Sequence, residues 1–157
     1  MFNSYNAVGG ETKKYHYYGF FDHRNADGYR QNSRYYNNSG FGTFTYRFTD
    51  KFSITAELMR SNMRSQQPGG LTDAQLNQDI KQSFRSRNWF DVTWTTAALI
   101  SNYKFSETSR LNVKLFAVHG DRNSVGFMPS AGIIVNDTIN KTTNRPMSQA
   151  KKGIKPL

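Results

Sequence analysis

The sequence contains no cysteine, and no run of apolar residues approaches the length that a membrane-spanning helix needs. Without cysteine the chain has neither a disulfide framework nor a thiolate metal site. A helical span takes about 20 consecutive apolar residues, so helical membrane segments are excluded. Aliphatic residues are also scarce, because 12 Phe, 9 Tyr and 2 Trp carry most of the hydrophobicity. The sequence therefore contains few aliphatic residues from which a compact soluble core could form.

Acidic residues are few, and the net charge of +10 comes from 21 basic and 11 acidic residues. Clustered Lys and Arg would suit a nucleic-acid surface, because they neutralise phosphates. Most arginines instead lie in or beside long polar connections between apolar-patterned segments. Eight of the eleven arginines lie there, namely Arg24, Arg30, Arg34, Arg60, Arg64, Arg85, Arg87 and Arg122. We therefore predict no nucleic-acid partner.

Several segments alternate apolar and polar residues, and very short and very long connections alternate between them. Segment 44–48 meets segment 52–58 across residues 49–51, and the next connection runs from about residue 61 to residue 88. A period of two is typical of strands that have one face in an apolar phase. Tight turns at one end and long loops at the other indicate an antiparallel transmembrane β-barrel, with short periplasmic turns and long extracellular loops. The predicted fold class is all-β.

The expected unit is a partial barrel over residues 1–140, followed by a disordered tail over residues 141–157. Gly9 and Gly10 suggest the first tight turn, because glycine tolerates positive φ. A further strand-like run lies at residues 132–135. About six strands are expected in a meander, at residues 2–8, 13–23, 38–48, 52–58, 89–105 and 111–117.

Six strands are too few to close a barrel, since bacterial barrels have at least about 8. The two open edges would leave backbone groups unpaired in lipid. The residues after Met1 also show no basic patch or apolar stretch of a secretory leader. We therefore expect an internal piece of a larger barrel, or else a cytoplasmic chain.

The strand faces can be assigned in part from alternation. Phe44 and Phe48 should face lipid, as should Ile54 and Leu58, with the intervening threonines and Glu57 facing the interior. In the strand at 89–105 one phase holds the larger apolar side chains and should face outward, with Asp91 inward. The alternation changes phase near the end of this strand. This change indicates either that the strand leaves the hydrocarbon there or that a bulge shifts its register. The outward set is Phe90, Val92, Trp94, Ala98 and Ile100.

An aromatic girdle at the membrane interface would account for the aromatic side chains of the second strand, Tyr15, Tyr17, Tyr18, Phe20 and Phe21.

The long connection at 61–88 carries signals of its own local structure. Pro68, Gly69 and Gly70 form a turn sequence, and Thr72 to Gln75 fit a capping box. Apolar residues then recur with helical spacing. The sequence predicts one short loop helix near residues 73–82.

No catalytic constellation emerges, because the three histidines lie far apart and no serine stands in a nucleophile elbow. We predict no enzyme activity, no catalytic residue, no metal site and no cofactor. The arginines are the stronger lead, since a guanidinium presents paired donors to carboxylates. Arg60, Arg64, Arg85 and Arg87, assisted by Gln66 and Gln67, could hold an anionic ligand, or could meet anionic lipopolysaccharide or solvent instead. Glu57 and Asp91 would pair with Arg47 or with neighbours.

Several stretches give the chain a specific resemblance. They are residues 60–75 (RSNMRSQQPGGLTDAQ), 21–24, 26–35, 86–90 and 120–127, within a resemblance that covers about residues 2–140. The chain resembles TonB-dependent outer-membrane receptors, in particular the ferric citrate receptor group, and the stretch PGGLTDAQ is the most specific part.

The resemblance implies a 22-stranded barrel with an N-terminal plug, in the bacterial outer membrane, that imports ferric siderophores with energy from the TonB complex. This chain would supply part of the wall and the extracellular loops. Iron would arrive inside an anionic chelate similar to ferric citrate, so no protein metal ligands are implied. Lipid, lipopolysaccharide and the TonB complex would be partners. Two other functions stay open, a truncated small structural or adhesive barrel and an importer of another substrate such as glycans.

Overall fold

A computed structural model describes residues 1–85 and 87–126 of the chain. The described residues form an all-β fold with six strands and one short helix, α1 (Asp73–Gln78). The strands are β1 (Phe2–Glu11), β2 (Tyr15–Ala26), β3 (Tyr35–Thr49), β4 (Phe52–Gln66), β5 (Trp89–Lys104) and β6 (Arg110–Val125). The predicted run at 132–135 and the predicted disordered tail at 141–157 lie outside the described residues. No helix in the described ranges is long and apolar enough to span a membrane.

The strands form one antiparallel meander in which each strand pairs with its neighbours in the sequence, in the order β1-β2-β3-β4-β5-β6. Residues 12–14, 50–51 and 105–109 connect strands at one end, which we call the short-turn end. Residues 27–34 and 67–88 connect them at the opposite, long-loop end. The predicted antiparallel meander and its alternation of short and long connections are confirmed. Strands β1 and β6 are the two edges of the sheet, and β6 is exposed over nearly its whole length.

The first tight turn differs from the prediction. Gly9 and Gly10 lie inside the ladder, opposite Tyr18 and Tyr17, so their assignment as turn residues is wrong. The turn is formed by residues 12–14, where the Thr12 hydroxyl oxygen accepts from the Lys14 and Tyr15 amides at 3.2 and 3.1 Å. A Cβ on Gly10 would lie 2.8 to 2.9 Å from atoms of the Tyr17 side chain. Glycine is present there to make room for a tyrosine ring.

The register divides the side chains into two faces, because directly paired residues of an antiparallel ladder point to the same side. Near the short-turn end one face is apolar, and we call this whole side of the sheet the apolar face. Its members include Tyr17, Phe44, Ile54, Ala56, Leu58, Ala97, Leu99, Val113 and Leu115. The other side, the polar face, carries Thr43, Thr45 and Glu57, and the Thr45 and Thr55 hydroxyls lie 2.8 Å apart. The phase predicted for Phe44, Ile54 and Leu58 agrees with this register.

The apolar face is exposed in the described part of the chain. Leu58 is 58% exposed and Leu115 is 65% exposed. The polar face is mixed, since Glu57 and Ala98 are half-buried on it whereas Phe116, which pairs with Ala98, is 75% exposed. Val92 is the one buried apolar residue in the described ranges. The apolar side chains of the sheet therefore do not form an internal core of their own.

The phase predicted for β5 is wrong. Ala56 pairs with Leu99 and Leu58 pairs with Ala97, so the odd-numbered residues of β5 lie on the apolar face. The residues predicted to lie outward, Phe90, Val92, Trp94, Ala98 and Ile100, lie on the polar face, and Asp91 lies on the apolar face. Asn102 and Lys104 then occupy the polar face without any break in the ladder. The predicted bulge in β5 is therefore unnecessary, and the register shift of the β3–β4 pair falls between Arg47 and Thr49.

Aromatic rings form a continuous row at the short-turn end. Ring centroids are 4.8 Å apart for Tyr46 and Phe48, 5.2 Å for Phe48 and Phe52, and 6.1 Å for Phe52 and Tyr103. Phe105 continues the row at 4.8 Å from Tyr103. These separations are typical of favourable aromatic pairs. The row marks the limit of the apolar face.

The aromatic residues of β2 do not form a single girdle. Tyr15, Tyr17 and Phe21 lie on the apolar face, and Tyr18 and Phe20 lie on the polar face. On the polar face the hydroxyls of Tyr18 and Tyr5 are 2.8 Å apart, and the ring of Phe20 stacks on Tyr5 at 5.4 Å. One interfacial row therefore cannot account for all of the rings in this strand.

Candidate functional site

The two connections at the long-loop end pack against each other and form one unit, residues 27–34 with residues 67–88, which we call the loop assembly. The Gln31 amide donates to the Lys81 carbonyl at 2.8 Å, and the Asn32 side-chain amide donates to the Arg85 carbonyl. The first loop also attaches to the end of β4, since the Gln66 amide donates to the Arg34 carbonyl at 2.8 Å. The candidate ligand-binding loops are therefore structured, not independent.

Arg30 joins the two loops. Its Nη1 donates to the Gly69 carbonyl at 2.8 Å, and its Nε and Nη2 donate to the Gln82 carbonyl at 3.2 and 2.9 Å. Charged hydrogen bonds of this kind are stronger than neutral ones. The sequence identifies Arg30 only as a loop arginine, because its partners lie 39 and 52 residues away in the chain.

Helix α1 lies within the loop assembly, where its predicted capping box is confirmed. The Gln75 amide donates to the Thr72 hydroxyl oxygen at 3.3 Å, and the Thr72 amide donates to Gln75 Oε1 at 2.9 Å. The predicted extension to residue 82 is wrong, because the helix ends at Gln78 and Asp79 is extended. Ile80 is 47% exposed, so the apolar stripe that suggested a longer helix gains little burial from continuing.

Arg85 is one of the predicted ligand-binding arginines, and it is buried, with 9% of its surface exposed. Its stem packs under the turn at Gly69, where φ is +77° and a Cβ would lie 2.9 Å from Arg85 Cγ. Its Nη1 donates to the Phe84 carbonyl at 3.0 Å. Arg87 is half-buried in the same loop. These two side chains lie inside the loop assembly.

Arg64 is engaged by Asp91, which faces it across the β4–β5 ladder. Its Nε and Nη2 both lie 2.7 Å from Asp91 Oδ2, and the two side chains are 27% and 14% exposed. The Asn62 side-chain amide donates to the Thr93 hydroxyl at 2.8 Å beside them. The expectation that Asp91 would pair with a neighbour is therefore met, although on the opposite face from the one predicted.

The pairing suggested for Glu57 with Arg47 is wrong. Arg47 instead binds Glu11, with 2.7 Å between Nη2 and Oε1, at the short-turn end. Glu57 lies on the polar face opposite Thr43 and Ala98, and within the described ranges no cation lies within 4.0 Å of its carboxylate. The polar face therefore carries one carboxylate without a counter-ion among the described residues.

Arg60 and the two predicted glutamines have separate surroundings. Arg60 is exposed on the apolar face, opposite Gly40 and Thr95 in the ladder. Gln66 Oε1 accepts from the Arg34 amide at 3.0 Å, so this side chain helps to hold the loop assembly. Gln67 donates from Nε2 to the Ser65 hydroxyl at 3.4 Å. Among the six predicted site residues, Arg60 and Arg64 share a face, whereas Arg85 and Arg87 lie in the loop.

A polar cluster on the polar face near the long-loop end has no counterpart in the predictions. Asp22 is 6% exposed, and its Oδ2 accepts from Arg24 Nε at 2.8 Å. On the adjacent strands the hydroxyls of Ser39 and Ser61 lie 2.9 Å apart. These residues follow no motif, and only the register of three strands brings them together. In the described part of the chain no group of three or more potential ligands could hold a metal ion.

The contacts of Arg30 predict that this side chain stabilises the loop assembly. Replacing Arg30 by Ala should raise amide hydrogen exchange in residues 69–82 by about tenfold or more, since a lost charged hydrogen bond costs about 1.5–3 kcal/mol. Arg34→Ala is the matched control, because the ion pair of Arg34 with Asp27 is 56% and 78% exposed and such pairs contribute about 0–1 kcal/mol. Equal protection in the two variants would show that Arg30 does not hold the loops together.

No protein-family model, no curated protein and no solved structure matches the chain.

Proposed function

We propose that this chain forms part of the wall of an outer-membrane β-barrel, with its apolar face toward lipid. The observation that carries the proposal is the exposed apolar face of a meander whose long loops all lie at one end. Phe52 and Arg60 mark its limits on β4, eight residues apart, which is about 26 Å along the strand at ~3.3 Å per residue. With a strand tilt of about 40° the height is roughly 20 Å, which is somewhat less than the apolar band of about 25 Å in known barrels.

The aromatic row from Tyr46 to Phe105 supports the same orientation. Known membrane barrels carry aromatic girdles where the apolar band meets water. In this arrangement the short-turn end is periplasmic and the loop assembly is extracellular. The polar face, with Glu57 and the Asp22 cluster, then lines the interior.

The barrel must contain more strands than the six described here. Strands β1 and β6 each have one long side without a strand partner among the described residues. In a bilayer those backbone groups need hydrogen-bond partners, and only further strands supply them without an exposed edge. We infer that this chain contributes a sector of a larger wall.

We further propose that the barrel is a TonB-dependent importer of a ferric siderophore similar to ferric citrate. The resemblance at residues 60–75 supports this function, and its loop helix starts at the Thr72 cap that the resemblance contains. The loop assembly carries Arg30, Arg34, Arg85 and Arg87, whose positive charge suits an anionic chelate. Iron is the cargo, and the TonB complex supplies the energy.

Uptake of radioactive iron by cells that carry the gene tests the import function. Deleting the gene should abolish uptake of iron supplied as the citrate complex at nanomolar concentration. Arg34→Gln should lower that uptake by about tenfold, because the Arg34 side chain is 56% exposed on the loop assembly and one charged hydrogen bond to the chelate is lost. Arg60→Gln is the control, since Arg60 lies on the apolar face, and it should leave uptake within about twofold.

Two results would contradict the proposal. Unchanged uptake of ferric citrate and of other ferric siderophores after deletion would rule out iron import by this barrel. Equal losses in the Arg34 and Arg60 variants would rule out capture by the loop assembly, while leaving import itself intact.

A further inference from the structure

A cavity of about 430 Å³ lies at the short-turn end, between the turn that joins β3 to β4 and the turn that joins β5 to β6. The two turns are neighbours because β4 and β5 pair directly. A volume of this size is typical of sites that bind small molecules. The charged residues of its lining are Arg47, Asp50, Lys51, Lys104, Glu107 and Arg110. Arg47 already pairs with Glu11, so the other five charges decide what the cavity can bind.

Three cations of the lining lie side by side across neighbouring strand ends. Lys104 pairs with Arg110 in the ladder, and on its other side the Lys104 amide donates to the Lys51 carbonyl at 2.8 Å. Glu107 neutralises the central cation, because its two carboxylate oxygens lie 2.8 and 2.7 Å from Lys104 Nζ. The outer two cations are separated by two strand spacings, or roughly 10 Å. Among the described residues, no carboxylate lies within 4.0 Å of the Lys51 ammonium or the Arg110 guanidinium.

This row of cations favours a bound anion. Like charges directly opposite each other in a ladder are destabilising, and Glu107 relieves only the central position. One carboxylate cannot bridge roughly 10 Å between the outer two cations. The ligand that fits them therefore carries two carboxylates.

The cavity also presents one carboxylate of its own. Asp50 precedes Lys51 in the first turn, and no cation of the described residues lies within 4.0 Å of its oxygens. This group would repel a simple anion, such as phosphate or a small dicarboxylate. A ligand that carries an ammonium beside its carboxylates would instead satisfy all the unpaired charges. Phe52 and Leu111, which also line the cavity, suit an aliphatic part of the same ligand.

We propose that this cavity binds a short peptide with free carboxylates and a free amine, with one carboxylate on Arg110, a second on Lys51 and the amine on Asp50. Charge complementarity selects this ligand, because a guanidinium and an ammonium bind carboxylates and an unpaired carboxylate binds an ammonium. The location of the site rests on the proposed barrel, in which the short-turn end is periplasmic. Peptidoglycan lies on that side of the outer membrane, and its short peptides carry both kinds of group. The occupant is therefore a peptidoglycan peptide, which ties the barrel to the cell wall.

The peptide site differs from the proposed chelate capture in both place and ligand. The loop assembly lies at the opposite end of the strands. A ferric citrate chelate carries no ammonium for Asp50. The two proposals can therefore fail separately.

The test uses the complete barrel proposed above, purified in mild detergent, and the synthetic tripeptide alanyl-γ-glutamyl-diaminopimelate with a fluorophore on its alanine. Fluorescence anisotropy gives the Kd of each variant. Arg110→Gln and Lys51→Gln should each raise the Kd by about tenfold, because each removes one charged hydrogen bond. Asp50→Asn should also raise the Kd, whereas the same change would tighten the binding of a simple anion.

Lys114→Gln is the matched control. Lys114 lies on β6 and on the same polar face as Arg110, but outside the lining of the cavity. Its substitution should leave the Kd within about twofold. All four substituted residues are exposed, so the fold should persist in each variant.

A change in the ligand tests the same contacts from the other side. The tripeptide with lysine in place of diaminopimelate keeps the amine but lacks one carboxylate, so it should bind about tenfold more weakly. Equal binding of the two tripeptides would overturn the proposal, as would a lower Kd for Asp50→Asn. Equal losses for Arg110→Gln and Lys114→Gln would also overturn it, because the attraction would then be to net charge alone.

Two further outcomes separate this site from its alternatives. Equal binding of an α-linked peptide with the same charges would make the occupant a protein segment and overturn the assignment to peptidoglycan. A barrel that imports ferric citrate but does not bind the tripeptide would overturn the peptide site alone. Binding without any iron import would support the peptide site and overturn the proposed import.

Discussion

Replacing Leu99 by Lys in the complete barrel proposed above should lower its free energy of unfolding from a lipid bilayer by about 2–4 kcal/mol, the cost of a cation near the middle of a lipid-facing wall. The neighbouring change, Ala98→Lys, should cost less than about 1 kcal/mol. Leu99 pairs with Ala56 and Leu115 on the apolar face, whereas Ala98 pairs with Glu57 on the polar face. A lysine at residue 98 gains an opposite charge across the strand, which contributes roughly 0.2–1 kcal/mol.

The measurement is a urea titration of the complete barrel that carries each substitution, in vesicles of the same lipid, followed by tryptophan emission. The two positions are adjacent and at the same height in the wall, so only the face differs between them. A larger loss at Ala98 than at Leu99 would mean that the β5 register is inverted. Equal small losses would mean that neither face contacts lipid.

The second large effect is expected at the Arg64–Asp91 pair. Arg64→Ala should destabilise the chain by about 2–3 kcal/mol, because it leaves a mostly buried carboxylate without its cation. This loss is smaller than the roughly 3–5 kcal/mol expected for a fully buried pair, because the two side chains are 27% and 14% exposed. Asp91 Oδ1 keeps only a long contact, 3.5 Å from the Asn62 amide, as other support.

A double-mutant cycle separates the pair from its surroundings. Arg64→Met combined with Asp91→Leu should cost less than Arg64→Met alone, since no charge is then left uncompensated. Arg47→Ala gives the comparison for an exposed pair, because Arg47 and Glu11 are 41% and 59% exposed, and its cost should stay below about 1 kcal/mol. Additive losses at Arg64 and Asp91 would contradict the coupling.

Local signals in the sequence were sufficient for much of the fold. Short turns, alternation in β3 and β4, and the capping box at Thr72 each depend on residues close together in the chain. Such signals predict the meander and the start of α1 correctly. The end of α1 was not predictable in the same way, because it depends on whether Ile80 finds a partner in the loop assembly.

The phase of β5 could not be read from one strand. Ala97 and Leu99 alternate with Ala98 and Ile100, so both faces carry apolar side chains and the alternation has no clear direction. Pairing with β4 decides the face, because Leu58 is already fixed on the apolar side. A register shift of one residue would exchange every side chain of β5 between the faces.

The site was the least predictable part, because its contacts join distant segments. Arg64 and Asp91 are 27 residues apart, and Arg30 and Gln82 are 52 apart. A single sequence contains no signal for such pairs when neither belongs to a motif. The arginine-rich composition of the loops was visible, but the division between buried Arg85, paired Arg64 and exposed Arg60 depends on the folded surroundings.

The Arg30 contacts also determine how the long-loop end can move. Because one guanidinium binds carbonyls at both ends of residues 69–82, we expect the two loops to move as one body and not separately. Any hinge should then lie at the strand ends near residues 34, 66 and 88. Binding of the proposed iron chelate would then require one rigid rotation, at a smaller entropy cost than the ordering of two flexible loops.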